Sequence, residues 1–193
     1  MKIAIDPGHG GRDPGTVHAT GVHESDIALD VGLRTYARLN DAKIGVDLTR
    51  GKDEFVSLAR RVQIANDFGA ALLAIHVNAA ASTKARGAET WVWRRGGESE
   101  RWARLVQAEL VALGLRDRGV KSCADPDSRS LYVLRRTSGP AILVECGFLS
   151  HAEEARDWLI PAHGRTRIAD AIVRGTLAWS GGTTITPPPA AVV

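Results

Sequence analysis

The sequence predicts an α/β sandwich, in which amphipathic helices cover both faces of a β-sheet. Six short β-type runs recur along the 193 residues, and helical patterns lie between or after most of them. This alternation is typical of the class. Residues 71–75 and 141–144 are continuously apolar, as expected of central strands that are covered on both sides. The length suits one domain with a single sizeable core.

In chain order, the predicted strands are residues 2–6, 44–48, 71–76, 89–93, 130–134 and 141–145. Residues 25–40 should form a helix after the first strand, although their apolar side chains spread around its circumference. A clearer helix follows the second strand and ends at Gly69. Its apolar residues recur at helical spacing on one face, which comprises Phe55, Leu58, Ala59, Val62 and Ala65.

Two further helices are predicted in the second half of the chain. One ends at Gly114, and its apolar stripe comprises Trp102, Leu105, Val106, Leu110 and Leu113. The last helix carries Ile168, Ala169, Ile172, Thr176 and Trp179. After it the composition turns to glycine, threonine and proline, so residues 1–180 should form the domain and residues 181–193 a disordered tail or linker.

The composition is that of an ordinary globular protein. Hydrophobic residues make up 44% and charged residues 24%, and no apolar run approaches the roughly 20 residues that span a bilayer. The net charge of +3 is compatible with an anionic partner such as a cell-wall polymer or nucleic acid, and equally with ordinary surface chemistry. Because the first strand begins at Lys2, no signal peptide is visible, and we expect cytoplasmic synthesis with release by another route.

The cysteines do not indicate a disulfide framework or a cysteine-based metal site. Cys123 and Cys146 are the only two, whereas such sites need more cysteines at short spacing. Cys146 follows an apolar strand-like run, which indicates a small buried core residue.

Three strand ends carry a histidine or a glutamate. His9 follows the first strand in a glycine-rich loop, and His76 and Glu145 end two of the apolar strands. Ligands of open α/β sheets bind at the carboxyl ends of strands. A lone histidine there is more often structural, but a buried carboxylate is costly to desolvate, and a metal or another cation removes that cost. The combination favours a metal site, although the spacing alone does not establish one.

Imidazole and carboxylate donors suit Zn²⁺ better than calcium or magnesium, which prefer all-oxygen shells. Glu24, at the start of the first predicted helix, is a fourth candidate donor. Four ligands would close the site, whereas three ligands and one free base would make a hydrolase. The residue pattern leaves both arrangements open.

The chain resembles the N-acetylmuramoyl-L-alanine amidases of the third type, which are zinc enzymes that cut peptidoglycan. The opening motif is IDPGHGGRDPG at residues 5–15, followed by Glu24. The middle motif is IHVNA at residues 75–79, followed by GAE at 87–89. The closing motif comprises LYVLR at residues 131–135 and PAILVECGFLS at 140–150. The match runs from about residue 2 to about residue 178.

The resemblance implies a three-layer sandwich around a mixed, mostly parallel six-stranded sheet. It also implies that His9, Glu24 and His76 bind one zinc ion per chain and that Glu145 is the catalytic carboxylate. The reaction would be hydrolysis of the amide between the lactyl group of N-acetylmuramic acid and L-alanine. Further substrate contacts are expected at Asn78, Arg135, Gly10 and Gly11. His23 is a rival ligand that should point away from the site, and His151 should be a surface residue.

Cell-division members of the family carry an autoinhibitory helix before the catalytic glutamate, and the stretch between His76 and Glu145 is too short for one. We therefore expect an endolysin-like amidase that acts on peptidoglycan in the cell wall. It should be monomeric, bind no nucleic acid, not associate stably with membranes and need no activator. A sporulation, germination or division amidase is the alternative within the family. A zinc carboxypeptidase that uses Arg135 to hold a terminal carboxylate, and a non-catalytic wall-binding module, are the alternatives outside it.

Overall fold

A six-stranded mixed sheet forms the centre of the protein, which the computed structural model describes over residues 1–125 and 131–181. The strands lie in the order β2-β1-β3-β6-β4-β5. The pairing of β4 with β6 is antiparallel and the other pairings are parallel, which confirms the predicted mixed, mostly parallel sheet. The strands are β1 (Lys2–Pro7), β2 (Gly45–Leu48), β3 (Ala71–Asn78), β4 (Ala88–Val92), β5 (Asp117–Ser122) and β6 (Ala141–Phe148).

Helices cover both faces of this sheet and complete the predicted three-layer sandwich. Helices α1, α3 and α6 pack on one face, and α2 and α4 pack on the other. A π-helical turn, Ala155–Leu159, lies between the last two helices. The helices are α1 (Glu24–Asp41), α2 (Leu58–Phe68), α3 (Gly97–Ala112), α4 (Tyr132–Arg136), α5 (Ala152–Glu154) and α6 (Ala162–Ser180).

The central strands bury side chains on both faces, which confirms the prediction made from their continuous apolar runs. On β3, Leu72 packs with the α2 layer and Leu73 with the α1 layer, and both are fully buried. Each such side chain contributes about 1.5–3 kcal/mol relative to exposure. Cys146 is also fully buried on β6, as predicted. The strands that carry His76 and Glu145 are therefore central strands covered on both faces.

The predicted strand at residues 130–134 is wrong. Residue 130 lies outside the described residues, and the next residues form the short helix α4. Val133 and Leu134 are adjacent in sequence and both buried against α2, and the amide of Arg135 donates to the Leu131 carbonyl oxygen. A short apolar run does not distinguish a strand from one helical turn, and tertiary packing decides the outcome here.

The sixth strand is β5, which was not predicted from the sequence. It pairs with β4 at the edge of the sheet and is half-exposed along most of its length. Its residues include Asp117, Arg118 and Lys121, with Val120 as its one large apolar residue. A charged edge strand is protected against pairing with another chain, but it lacks the apolar alternation by which strands are recognised.

The predicted end of α2 is confirmed, since Gly69 ends this helix in the left-handed conformation. Ser57 caps its start by accepting from the amide of Arg60. Phe55, assigned to this helix from its spacing, lies just before it. Residues 182–193 of the predicted tail lie outside the described residues. Across residues 1–125 and 131–181, no helix has the length and apolar character needed to cross a membrane.

Candidate metal centre and amidase active site

The loop after β1 presents His9 in a left-handed backbone conformation, with φ of 58°. A non-glycine residue there costs about 1–3 kcal/mol unless its surroundings hold it. Arg61 supplies part of that support, because its guanidinium donates to the carbonyl oxygens of Pro7 at 2.6 Å and His9 at 2.5 Å. It also forms a buried ion pair with Asp6 at 2.6 Å. The buried Arg61 guanidinium therefore holds this loop in place.

A second buried arginine completes this support. Arg50 is 2% exposed and donates to the carbonyl oxygens of Pro7 at 2.9 Å and Gly8 at 2.7 Å. It also donates to the Ser25 carbonyl oxygen at 2.9 Å, which links the loop to the first turn of α1. The two elements that carry His9 and Glu24 are thus tied together by one side chain.

Glu24 is the first residue of α1, and its carboxylate is 6% exposed. One carboxylate oxygen, Oε1, accepts from the amide of Val77 at 3.1 Å, and Oε2 accepts from the amide of Thr16 at 3.0 Å. Its place in the first turn of a helix also favours the negative charge. These contacts hold the carboxylate against the end of β3.

His76 lies on β3 with its side chain 21% exposed. Gly8 packs directly against its imidazole, because a Cβ at that position would overlap the ring. Glycine at residue 8 is therefore required by the close approach of the loop to the histidine.

The three predicted ligands converge on one point. His9 Nε2 and His76 Nδ1 each lie 3.1 Å from Glu24 Oε1. One donor atom from each of the three residues lies within 4.8 Å of the others. Two imidazoles and one carboxylate at this spacing match the three-ligand set of a catalytic zinc site.

The charges of these groups shift the pKa values of His9 and Glu24. Burial lowers the pKa of His9, but hydrogen bonds and charge from Glu24 and Asp13 outweigh it and raise the pKa to about 9. Burial raises the pKa of Glu24, yet the hydrogen bonds from His76 and His9 dominate and hold it well below its usual range. Without metal, the charged carboxylate therefore holds a proton on His9 at neutral pH, and a bound cation would have to displace that proton.

Asp13 contacts His9, one of the predicted ligands, and was not singled out from the sequence. Its Oδ2 accepts from His9 Nδ1 at 2.9 Å, so that Nε2, which lies 3.1 Å from Glu24 Oε1, is the nitrogen that a metal would take once its proton is lost. A carboxylate on the second nitrogen of a metal-binding histidine is a common way to fix its tautomer. The sequence shows only that Asp13 follows His9 by four residues in a glycine-rich loop.

Replacing Asp13 with alanine should weaken zinc binding by about 10–100-fold, because loss of such a partner has that effect in metal sites. The zinc affinity of Asp13→Asn should lie between those of the wild-type protein and Asp13→Ala, since asparagine keeps an acceptor and loses the charge. Competition with a chromophoric chelator measures the affinity. Equal affinity in all three proteins would contradict the role given to Asp13.

Glu145 lies directly beside the predicted ligands but is not one of the three converging donors. It pairs with His76 in the register of β3 and β6, and with Glu89 in the register of β6 and β4. It is 4% exposed. The two buried carboxylates and His76 thus form one row across three strands.

Glu89 is a buried carboxylate with no role assigned from the sequence. Its Oε1 accepts from Asn78 Nδ2 and from Trp91 Nε1, both at 3.0 Å. Its Oε2 accepts from Arg118 Nε at 2.7 Å. These contacts engage both carboxylate oxygens of Glu89 and hold the side chain in place.

The predicted substrate contacts lie in three different surroundings. Asn78 lies at the site, but its amide group is engaged with Glu89 and with the amide of Ala79. Gly10 and Gly11 approach the backbone of Glu54 and Phe55, which gives them a structural reason to be glycine. Arg135 stands apart, since it lies over the Trp93 ring at 5.7 Å and borders a different cavity.

The two other histidines considered lie outside the group of donors. His23 is the residue before α1, and its side chain is 44% exposed and directed at Asp26. His151 caps α5 by accepting from the amide of Glu154. The structure therefore places neither at the metal centre.

Comparison with known proteins gives a consistent family assignment. The family described as N-acetylmuramoyl-L-alanine amidase matches residues 3–178. The amidase LytC of Bacillus subtilis (strain 168) is 37% identical over 181 residues, which is 92% of this chain and 35% of that protein. A sporulation-specific N-acetylmuramoyl-L-alanine amidase of the same organism is 34% identical, over 80% of this chain and 59% of that protein.

The fold is shared with a solved relative as well. The crystal structure of an N-acetylmuramoyl-L-alanine amidase from Clostridium difficile 630 has a TM-score of 0.86 and 34% identity, and the match covers 93% of this chain and 96% of that one. The chain spans only part of the two Bacillus relatives but nearly all of this solved chain. The protein belongs to the N-acetylmuramoyl-L-alanine amidase family, whose match extends over nearly all of the described residues.

Proposed function

We propose that the protein hydrolyses the amide between the lactyl group of N-acetylmuramic acid and the L-alanine of the stem peptide, with zinc held by His9, Glu24 and His76. The observation that carries the proposal is the convergence of these three donors within 4.8 Å, with Glu145 beside His76 on the next strand. Membership of the amidase family supports the same reaction.

The residues present fit a zinc ion. The imidazole nitrogens of His9 and His76 and one oxygen of Glu24 face one another, and Asp13 holds His9 in the tautomer that a ligand requires. Zinc bound there would polarise the scissile carbonyl and lower the pKa of a water molecule toward about 7.

Glu145 performs the proton transfers in this proposal. It takes a proton from the attacking water as the new bond from oxygen to the carbonyl carbon forms, and returns it to the alanine nitrogen as the carbon–nitrogen bond breaks. The products are a muramic acid lactyl carboxylate and a stem peptide with a free amino terminus. The support for this role is its position, since Glu145 is 4% exposed and pairs with His76 in the register of β3 and β6.

The biological setting we propose is that of an endolysin: a monomer that acts on the wall without an activator. The support is that the described residues between β3 and β6 form β4, α3, β5 and α4, with no additional helix among them that could cover the site. A host amidase of sporulation is the second candidate, because a sporulation-specific amidase is 34% identical. Purified sacculi incubated with the protein alone test this, since silence until a partner is added would favour a regulated host enzyme.

The purified protein should hold one zinc per chain and release peptides with a new amino-terminal alanine from peptidoglycan. Zinc affinity should rise between pH 7 and 9, because the proton on His9, whose pKa is about 9, competes with the metal. Metal analysis, chelator competition at several pH values and mass spectrometry of the digest measure this. Activity after complete metal removal would contradict the zinc proposal, and release of single terminal amino acids would indicate a carboxypeptidase.

A further inference from the structure

A cleft with apolar walls leads to the candidate metal centre. It has a volume of about 250 Å³, with His9 and His76 among its lining residues and Phe55, Leu58 and Tyr132 at its sides. These three side chains are 44%, 54% and 40% exposed, and they are half of the large apolar residues exposed in the described parts of the chain. Exposed apolar side chains that gather around polar groups in a cleft are typical of ligand sites.

One of the lining residues, Phe55, carries a cation on its ring. The guanidinium of Arg12 lies 4.1 Å from the centre of the Phe55 ring. The loop that carries His9 contacts the segment that carries Phe55, because the amide of Gly11 donates to Asp53 Oδ1 at 2.7 Å. The two backbones also approach closely, since a Cβ on Gly11 would lie 2.6 Å from the Phe55 nitrogen. Phe55 is thus held at the rim of the cleft by the same loop that carries His9.

The charge of Arg12 is available for a ligand. It forms no ion pair with any residue in 1–125 or 131–181, and it is exposed. Asp13, the acidic residue beside it on the cleft, is engaged by His9. A guanidinium that is stacked on a ring keeps its N–H groups at the ring edge, where they bind carboxylates in a fixed direction.

Tyr132, another lining residue, also has a guanidinium near its ring, at a longer distance. Tyr132 begins α4, and the guanidinium of Arg136 from the same helix lies 5.9 Å from its ring centre. The cleft therefore has apolar lining residues beside the candidate metal centre, and the rings of two of them, Phe55 and Tyr132, each carry a guanidinium. An occupant that matches both is an anionic peptide whose first side chain is small and apolar.

We propose that this cleft binds the acidic stem peptide of peptidoglycan and selects its chemistry. The methyl groups beside the scissile amide, those of the lactyl group and of L-alanine, contact Phe55, Leu58 and Tyr132. The free carboxylate of the second stem residue binds Arg12. The proposal rests on the amidase function and adds to it that a stem peptide amidated at the second residue is the poorer substrate.

The test uses two muropeptides that differ only at the second stem residue, one with the free carboxylate and one with the carboxamide. Hydrogen bonds to charged groups contribute enough for a preference of about 10–100-fold in kcat/KM for the carboxylate form. Arg12→Met should abolish that preference and leave zinc content unchanged. Arg12→Lys should restore part of it, since the charge remains but the planar, stacked donor is lost.

Arg167→Met is the matched control, because Arg167 is stacked on Trp158 at 4.3 Å, away from the cleft. It should keep the wild-type preference. Phe55→Ala should raise KM for both substrates, and Phe55→Leu should restore most of the affinity. Equal turnover of the two muropeptides by the wild-type protein, with no effect of Arg12→Met, would overturn the proposal and leave the amidase function standing. Failure to release any alanine-terminated peptide from either substrate would instead contradict the amidase function itself.

Discussion

Glu145→Gln is expected to lower turnover of muropeptides by about 10²–10⁴-fold, which is the usual contribution of general acid–base catalysis. The protein should keep its zinc and its fold. Glutamine has nearly the size and shape of glutamate, so it fits the buried place on β6 that pairs with His76. It cannot accept the proton of the attacking water, and that step is therefore lost selectively.

Glu153→Gln is a suitable control for this variant, because Glu153 is an exposed carboxylate in the chain segment that follows β6, with its side chain 66% exposed. Its turnover and zinc content should equal those of the wild-type protein. Loss of zinc from Glu145→Gln would identify Glu145 as a ligand and contradict its assignment as the base. Undiminished turnover would require a different base.

The central part of the fold was predictable because its physical signal is local. The continuous apolar runs of β3 and β6 and the apolar stripes of α3 and α6 are properties of neighbouring residues, and the structure confirms them. The strand β5 and the helix α4 were not predictable in the same way. Their conformation depends on which neighbours they meet, since Asp117–Ser122 pairs at an edge and Val133 and Leu134 pack on α2.

The metal donors were predictable for a related reason. His76 and Glu145 directly follow the apolar runs of β3 and β6 and lie near the carboxyl ends of these strands, which adjacent parallel strands bring together. The choice between three ligands and four came from the family motifs and not from spacing. Convergence of His9, Glu24 and His76 agrees with that choice, and their assignment as ligands remains a prediction.

The supporting residues around the donors could not be derived from sequence spacing. Arg50 and Arg61 reach the loop of His9 from distant positions, and nothing in their local sequence distinguishes them from surface arginines. Their burial is visible only when the sheet and α2 are in place. The same holds for Phe55, which the helical spacing assigned to a core face and which instead borders the cleft.

His76→Ala should remove zinc and activity together, in contrast to Glu145→Gln. The imidazole supplies one of three donors, and a site with His9 and Glu24 alone no longer offers the ligand set of a catalytic zinc. The fold should survive, since the side chain is 21% exposed near the carboxyl end of β3 and the substitution leaves the buried core unchanged. His163→Ala replaces an exposed histidine at the start of α6 and serves as the control.

Thermal unfolding with and without zinc separates metal loss from misfolding. A ligand present at 1,000 times its Kd stabilises the folded state by about 4.1 kcal/mol, so zinc should raise the melting temperature of the wild-type protein and of Glu145→Gln. It should not raise that of His76→Ala, whose metal-free melting temperature should lie close to the wild-type metal-free value. If His76→Ala keeps one zinc per chain and its zinc-dependent stabilisation, His76 is not a ligand and the metal centre lies elsewhere.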